Sequence, residues 1–166
     1  MTLALFLSPA HLMATTINGT MNLTQRPSLK LDEAMSAAEK ALGANAKDFS
    51  CTIAYSKTKS SGGGWALQFR SLTIPFRWVH IEEGGKVMSN EARPGLAANL
   101  KAAPKVSIEK AIEIALATRD RPLRWFPVHV KWDEEKDDWV VTLVNTHRDT
   151  AYLIVGANKK AREQKR

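Results

Sequence analysis

The sequence predicts an α+β protein of two tandem αβββ repeats, each a helix packed on a three-stranded antiparallel meander sheet. Three observations point there. A helix-period apolar stripe occurs twice, at residues 29–38 and again at 106–116. Each stripe gives way to runs of period two, the mark of half-buried strands. The two series also keep register. One constant offset carries Leu29, Leu31, Ala34, Met35 and Ala38 onto Val106, Ile108, Ala111, Ile112 and Ala115, and Phe49, Cys51, Ile53 and Tyr55 onto Phe126, Val128, Val130 and Trp132. After a single change of three residues inside a hairpin loop, Trp65, Leu67 and Phe69 match Trp139, Val141 and Leu143, and Trp78, Val79 and Ile81 match Tyr152, Leu153 and Val155.

The elements follow in order. Leu31, Ala34, Met35, Ala38, Ala41 and Leu42 recur on one face of a helix. Asp32 and Glu33 stand in its first turn, where the helix dipole favours negative charge, and Gly43 is its stop. Phe49, Cys51, Ile53 and Tyr55 alternate with small polar residues as a first strand. Trp65, Leu67 and Phe69 do so as a second, after a Ser/Lys/Gly loop that ends in Gly62, Gly63 and Gly64. Residues 76–82 form a third, closed by Gly84 and Gly85. Residues 88–104 lack a period, carry Pro94, Gly95 and Pro104, and read as a linker. The organisation is therefore a leader at 1–28, repeats at 29–87 and 105–160, and a basic tail at 161–166. In the first repeat the helix-facing side is expected to hold Phe49, Cys51, Ile53, Trp65, Leu67, Val79 and Ile81. The other face of the second repeat, with His129, Lys131, Val140, Thr142, Val144, Tyr152 and Ile154, is too apolar to be simply wet. It is expected to meet the other half, another subunit or a ligand.

Composition bounds the function. Hydrophobic residues at 44% and charged residues at 25% are those of an ordinary globular chain. The net charge of +7 raises the question of a polyanionic partner, but five of the basic residues fall in the last eight positions. A lone cysteine, Cys51, excludes an internal disulfide and a cysteine-based zinc site. No apolar run reaches the roughly 20 residues that cross a bilayer. Residues 3–7 are apolar and are followed by small residues, as in a secretory signal, without the usual positive start.

The helix Ser107-Ile108-Glu109-Lys110-Ala111-Ile112-Glu113-Ile114-Ala115 resembles the opening helix of PepSY domains: a Ser or Thr cap, an apolar residue, two polar residues, then Ala-Ile/Leu-x-x-Ala. Trp65-Ala66-Leu67-Gln68-Phe69 and the run from Trp78 through Gly84, Gly85 and Lys86 to Val87 are similar to the later strands and closing turn of that family. The resemblance covers residues 29–87 and 105–160. The second copy departs at its end, where Asn158, Lys159 and Lys160 replace a Gly-Lys-Val turn. PepSY domains are small extracytoplasmic modules of protease propeptides, envelope proteins and sensors that bind or restrain protein partners. The resemblance implies a non-enzymatic binding or peptidase-restraining module, periplasmic or secreted, with a secreted peptidase or envelope protein as partner. It also tips the leader towards an export signal. The family has no catalytic residues to carry over.

No reactive constellation competes with that reading. Cys51 lies on an apolar face and reads as core. His11, His80, His129 and His147 do not pair at ligand spacing, so no metal, cofactor or catalytic residue is expected. His147-Arg148-Asp149 spells a kinase tripeptide without any other kinase element. The acidic run at 133–138 reads as a solvated hairpin rather than a calcium loop. The residues expected to bind a partner are those of the open sheet faces: Arg70, Trp78 and His80 in the first repeat, His129, Lys131 and Tyr152 in the second. Aromatic anchors with a polar rim would do the work. Two alternatives remain. Arg119, Arg121, Arg124 and the basic tail could hold nucleic acid or another polyanion, although they form no stripe along one element. A helix–sheet pocket near Met35, Trp65, Trp78 and Phe69 could hold a small molecule.

Overall fold

The computed structural model describes residues 27–59, 62–92, 99–119 and 123–164. The leader up to residue 26, Arg121, residues 93–98 of the expected linker and the last two tail residues lie outside them. Helix α1 (Leu31–Leu42) buries Leu31, Ala34, Met35, Ala38 and Leu42, the stripe that periodicity predicts. Its start is held by the Glu33 carboxylate, which accepts from the Lys30 N–H at 3.1 Å. Its end is Gly43 at φ +65°, and a 3-10 turn (Gly43–Asp48) leads to the first strand. Helix α2 (Ile108–Ala117) begins on a Ser107 cap, whose hydroxyl accepts from the Lys110 N–H at 3.3 Å, and buries Ile108, Ala111 and Ala115.

Each helix is followed by four strands, not three. They are β1 (Ser50–Ser56), β2 (Trp65–Arg70), β3 (Arg77–Ile81) and β4 (Val87–Ala92), then β5 (Trp125–Asp133), β6 (Asp138–Asn145), β7 (Thr150–Val155) and β8 (Ala161–Glu163). All eight form one antiparallel sheet in the order β4-β3-β2-β1-β5-β6-β7-β8. This overturns the expected pair of αβββ units with a three-stranded sheet apiece. The physical reason lies at β1 and β5, which would each be an open edge in a separate sheet. They pair with each other instead, Ile53 with Lys131, Ala54 with Val130 and Tyr55 with His129, so two row ends of unpaired N–H and C=O groups are satisfied. The outer edges are β4 and β8, and both lack the alternation of a buried strand because they lie at the rim. Met88 in β4 is 56% exposed. Strand β4 occupies the first positions of the expected linker, anchored by Asn90, whose amide donates to the Ala41 carbonyl at 2.9 Å.

Both helices lie on one face of the sheet and share one core with Trp65, Leu67, Val79, Ile81, Val130, Trp132, Trp139, Val141, Leu143 and Leu153. Two tryptophans pin the chain entering each helix. The Trp65 indole N–H donates to the Leu29 carbonyl and that of Trp139 to the Val106 carbonyl, each at 2.8 Å. Both rings are 1% exposed, so each bond satisfies a buried donor and a buried acceptor together.

The face assignment of β1 differs from the alternation. Its register against β2 shifts between Cys51 and Ile53, and that of β5 against β6 shifts between Pro127 and His129. Each is a one-residue bulge, and a bulge inverts which side chains face the core beyond it. Cys51 faces the helices, but Ala54, opposite Leu67 and Val130, takes the next core position. Ile53 and Tyr55 are turned to the other face. The bulged Thr52 is buried there, and its hydroxyl donates to the Gln68 side-chain carbonyl at 3.1 Å. In β5 the expected faces hold beyond the bulge, with Val130 and Trp132 inward and His129 and Lys131 outward; before it Pro127, opposite Leu143, takes the core side and Phe126, the expected counterpart of Phe49, stands opposite Val144 on the other face.

Candidate functional site

The face of the sheet opposite the helices is covered by no described element. Because the strands form one sheet, the open faces of the two halves lie side by side and do not close on one another. Cross-strand pairing arranges this face in rows. One row runs Glu91, Trp78, Gln68, Ile53, Lys131, Val140, Ile154, Arg162. The next runs Ser89, His80, Ala66, Tyr55, His129, Thr142, Tyr152. Five of the six residues expected to bind a partner fall in these two adjacent rows: Trp78 and Lys131 in the first, His80, His129 and Tyr152 in the second. At about 4.8 Å between strands, eight strands span about 34 Å.

Tyr55 was not among the expected site residues. The bulge at Thr52 delivers it, and it joins an aromatic group centred on Trp78. Its ring meets Trp78 edge-on, with centroids 5.9 Å apart at 68°, and Trp78 lies 6.2 Å from the His80 ring at 30°. Across the central seam Tyr55 stands opposite His129. Only the bulge explains this placement, and unbroken alternation from Phe49 to Tyr55 hides it.

His129 is the electrostatic oddity of the face. Burial pushes its imidazole down to about 4, and the neighbouring Lys131 ammonium adds to the effect. It is therefore neutral at neutral pH. Its Nε2 is buried without a hydrogen-bond partner. Lys131 itself is exposed.

Arg70 is placed differently. It lies on the far side of the β1 bulge, opposite Ser50, and its guanidinium donates to Glu134 at 2.9 Å. Glu134 also accepts from the Lys101 N–H at 2.7 Å. Burial works to raise the Glu134 pKa, but the Lys101 N–H and the Arg70 guanidinium outweigh it and hold the carboxyl below its ordinary value. The acidic hairpin is thus a latch rather than a solvated turn. Asp137 accepts from the Trp132 indole N–H at 3.1 Å and pairs with the Lys105 ammonium at 3.3 Å, and Asp138 pairs with Arg162 at 2.8 Å. Among the described residues no group of three or more His, Cys, Asp or Glu side chains is placed to hold a metal. Cys51 is buried, and burial pushes its thiol up, with the Glu109 carboxylate adding to the shift. The thiolate needed for nucleophilic chemistry is therefore disfavoured. His147, Arg148 and Asp149 form the β6–β7 turn, where the Asn145 side-chain oxygen accepts from the His147 and Asp149 N–H groups, each at 2.9 Å.

The candidate polyanion contacts do not converge. Arg119 donates to Glu163 at 2.7 Å and lies 5.5 Å from the centre of the Trp125 ring. Arg124 is exposed, and Arg162 in the tail is paired with Asp138. The expected small-molecule pocket divides. Met35 and Trp65 line a groove of about 350 Å³ between the helices, Phe69 lines a smaller cavity beside Cys51, and Trp78 stands on the opposite face of the sheet. No helix among the described residues is long and apolar enough to cross a membrane.

No protein-family model matches the chain, and no curated protein does. Among solved structures it is similar to a candidate lipoprotein of Clostridium difficile 630, at 12% identity and a TM-score of 0.45, over 86% of this chain and 97% of that one. At that similarity the likeness bears on neither function nor location.

Proposed function

We propose that this chain is a non-enzymatic protein-binding module of PepSY type that acts outside the cytoplasm and docks its partner on the open face of the sheet. The observation that carries the reading is a face that no described element covers, on which Tyr55, Trp78 and His80 cluster on one side of the seam and His129, Lys131 and Tyr152 stand on the other, around the buried Ala66, Gln68 and Thr142. A face about 34 Å wide and five or six residues tall offers on the order of 700 Å² of projected area. That is close to the roughly 800 Å² each partner contributes to a standard protein interface. Rigid rings on a hydrogen-bonded sheet lose little conformational freedom on docking, so such a face suits aromatic hot spots. The PepSY resemblance supplies the partner class: a secreted peptidase, restrained when its surface is covered. The apolar start of the leader, residues 3–7, fits an export signal.

The test is inhibition of the secreted metallopeptidases of the source organism by the purified chain, with Trp78→Ala and Tyr152→Ala beside the wild type and Lys110→Ala, on the helix side, as control. Inhibition that weakens at least tenfold in Trp78→Ala and is unchanged in Lys110→Ala supports the reading. Inhibition that survives both sheet-face substitutions places the interface elsewhere, and absence of any binding to these enzymes removes peptidase restraint.

A further inference from the structure

The helix side carries a second concave feature, which the protein-docking reading leaves unused. The groove of about 350 Å³ between the helices is walled by Leu31 and Met35 of α1 and by Ile108, Ile112 and Leu116 of α2, with Trp65, Trp125 and Pro127 of the sheet beneath. Its volume is that of a small-ligand site. From Ile108 to Leu116 it follows α2 for about 12 Å at 1.5 Å per residue, the length of a medium acyl chain. Apart from Lys30, its charged lining is Asp32 and Glu109, one in the first turn of each helix. Trp125, at the Leu116 end, is also a wall of a separate, more polar cavity of about 470 Å³ that contains Arg119 and Glu163.

The Arg119 guanidinium has a specific vacancy. Its side chain is 16% exposed, its Nη2 donates to the Glu163 carboxylate at 2.7 Å, and its Nε is buried without an acceptor. A guanidinium binds a carboxylate best through two parallel N–H bonds, and Nε with Nη2 is one such fork. Glu163 fills half of it from the edge strand β8, with its own side chain 71% exposed. That contact also shows that a carboxylate reaches this nitrogen.

We propose that the interhelical groove is a binding site for a free medium-chain fatty acid, the alkyl chain lying between α1 and α2 and the carboxylate displacing Glu163 to take both Nε and Nη2 of Arg119. Charge sets the orientation: Glu109 repels a carboxylate from the Ile108 end of the groove, Arg119 attracts it beyond the Leu116 end, and Lys30 offsets Asp32 there.

Isothermal titration of the full chain with decanoate, below its micelle-forming concentration, tests this against decan-1-ol and against a short apolar peptide with a free C-terminal leucine. The expected result is saturable one-to-one binding of decanoate, weakened about tenfold or more by Arg119→Met, the loss that follows removal of a charged hydrogen-bond partner. Binding of decan-1-ol should not change in that variant. Glu163→Gln removes the competing carboxylate from an exposed edge position, where folding is not at stake, and should tighten decanoate binding several-fold. Ile112→Trp, which fills the groove, should abolish it. No saturable binding, equal affinity in Arg119→Met and the wild type, or unchanged affinity in Glu163→Gln overturns the proposal. Tighter binding of the peptide than of decanoate overturns the choice of ligand.

Discussion

His129 makes the stability of this protein sensitive to mild acid. Its imidazole ordinarily titrates near 6.5 and is pushed down to about 4 in the fold, first by burial and then by Lys131. Between those values the unfolded chain binds a proton that the folded chain refuses. Stability is therefore full above pH 6.5, falls as the pH drops towards 4, and levels off below it. Integrating the two titrations gives a loss of about 2 kcal/mol between pH 7 and pH 5, and about 3 kcal/mol by pH 4. Against a typical total of 5–15 kcal/mol for a domain, that is a large fraction. Glu134, held low by the Lys101 N–H and Arg70 against the opposing effect of burial, also loses stability on acidification, but only below the carboxylate's ordinary value of 4.5. The interval from pH 7 to 5 thus separates the effect of His129 from that of Glu134. Urea unfolding at both pH values, on the wild type and on His129→Leu, measures it. The wild type should lose about 2 kcal/mol more than the variant. Proton NMR of the ring should show His129 unprotonated at pH 5. A His129 ring that titrates near 6.5, or a variant with the same acid loss as the wild type, refutes the reasoning.

Three further substitutions probe what holds the fold. Trp139→Phe keeps most of the ring but strips the donor from the Val106 carbonyl, and should cost about 1–3 kcal/mol in denaturant unfolding. Trp65→Phe should cost a similar amount at Leu29, and a variant as stable as the wild type would show that water replaces the bond. Gly64 sits at φ +73°, and a Cβ there would stand 2.0 Å from the Ile81 carbonyl oxygen. Gly64→Ala should therefore destabilise by at least about 2 kcal/mol. An unchanged thermal midpoint would mean that the β1–β2 hairpin relaxes freely.

The parts of the fold legible in the sequence are those set by local period. The stripe of α1, the Ser107 cap of α2 and the alternation of β2, β3, β6 and β7 are each fixed by residues within one element, and each lies where periodicity puts it. Edge strands have no such signature. One side of the ladder is open at β4, no alternation is demanded of Met88, Ser89 and Asn90, and the strand exists because β3 offers a partner. The same is true of the β1–β5 seam. Nothing in Ile53, Ala54 or Tyr55 says whether the strand beside them is solvent, a second molecule or their own second half. The anchoring of the acidic hairpin is hidden for a related reason: Glu134 and Asp137 are answered by Lys101 and Lys105, more than thirty residues away, and no local pattern records a distant partner.

The bulge at Thr52 ties these failures to the candidate site. Unbroken alternation over Phe49, Cys51, Ile53 and Tyr55 would give the helix side four apolar residues and leave the outer face of β1 to Ser50, Thr52 and Ala54. The inserted residue inverts the last three positions, turning Ile53 and Tyr55 outward and Ala54 inward. Ala54, the smallest side chain in the run, goes to the crowded seam against Leu67 and Val130, where it is completely buried. Tyr55 goes outward, where its hydroxyl needs no buried partner and its ring completes the group with Trp78 and His80. A large residue at position 54 would crowd the core, and an unbulged strand would bury Tyr55 in it. The small residue and the aromatic one are therefore sorted by the same backbone irregularity. The aromatic centre of the open face is a consequence of how β1 fits between β2 and β5, which is why the residues flanking it were legible and Tyr55 was not.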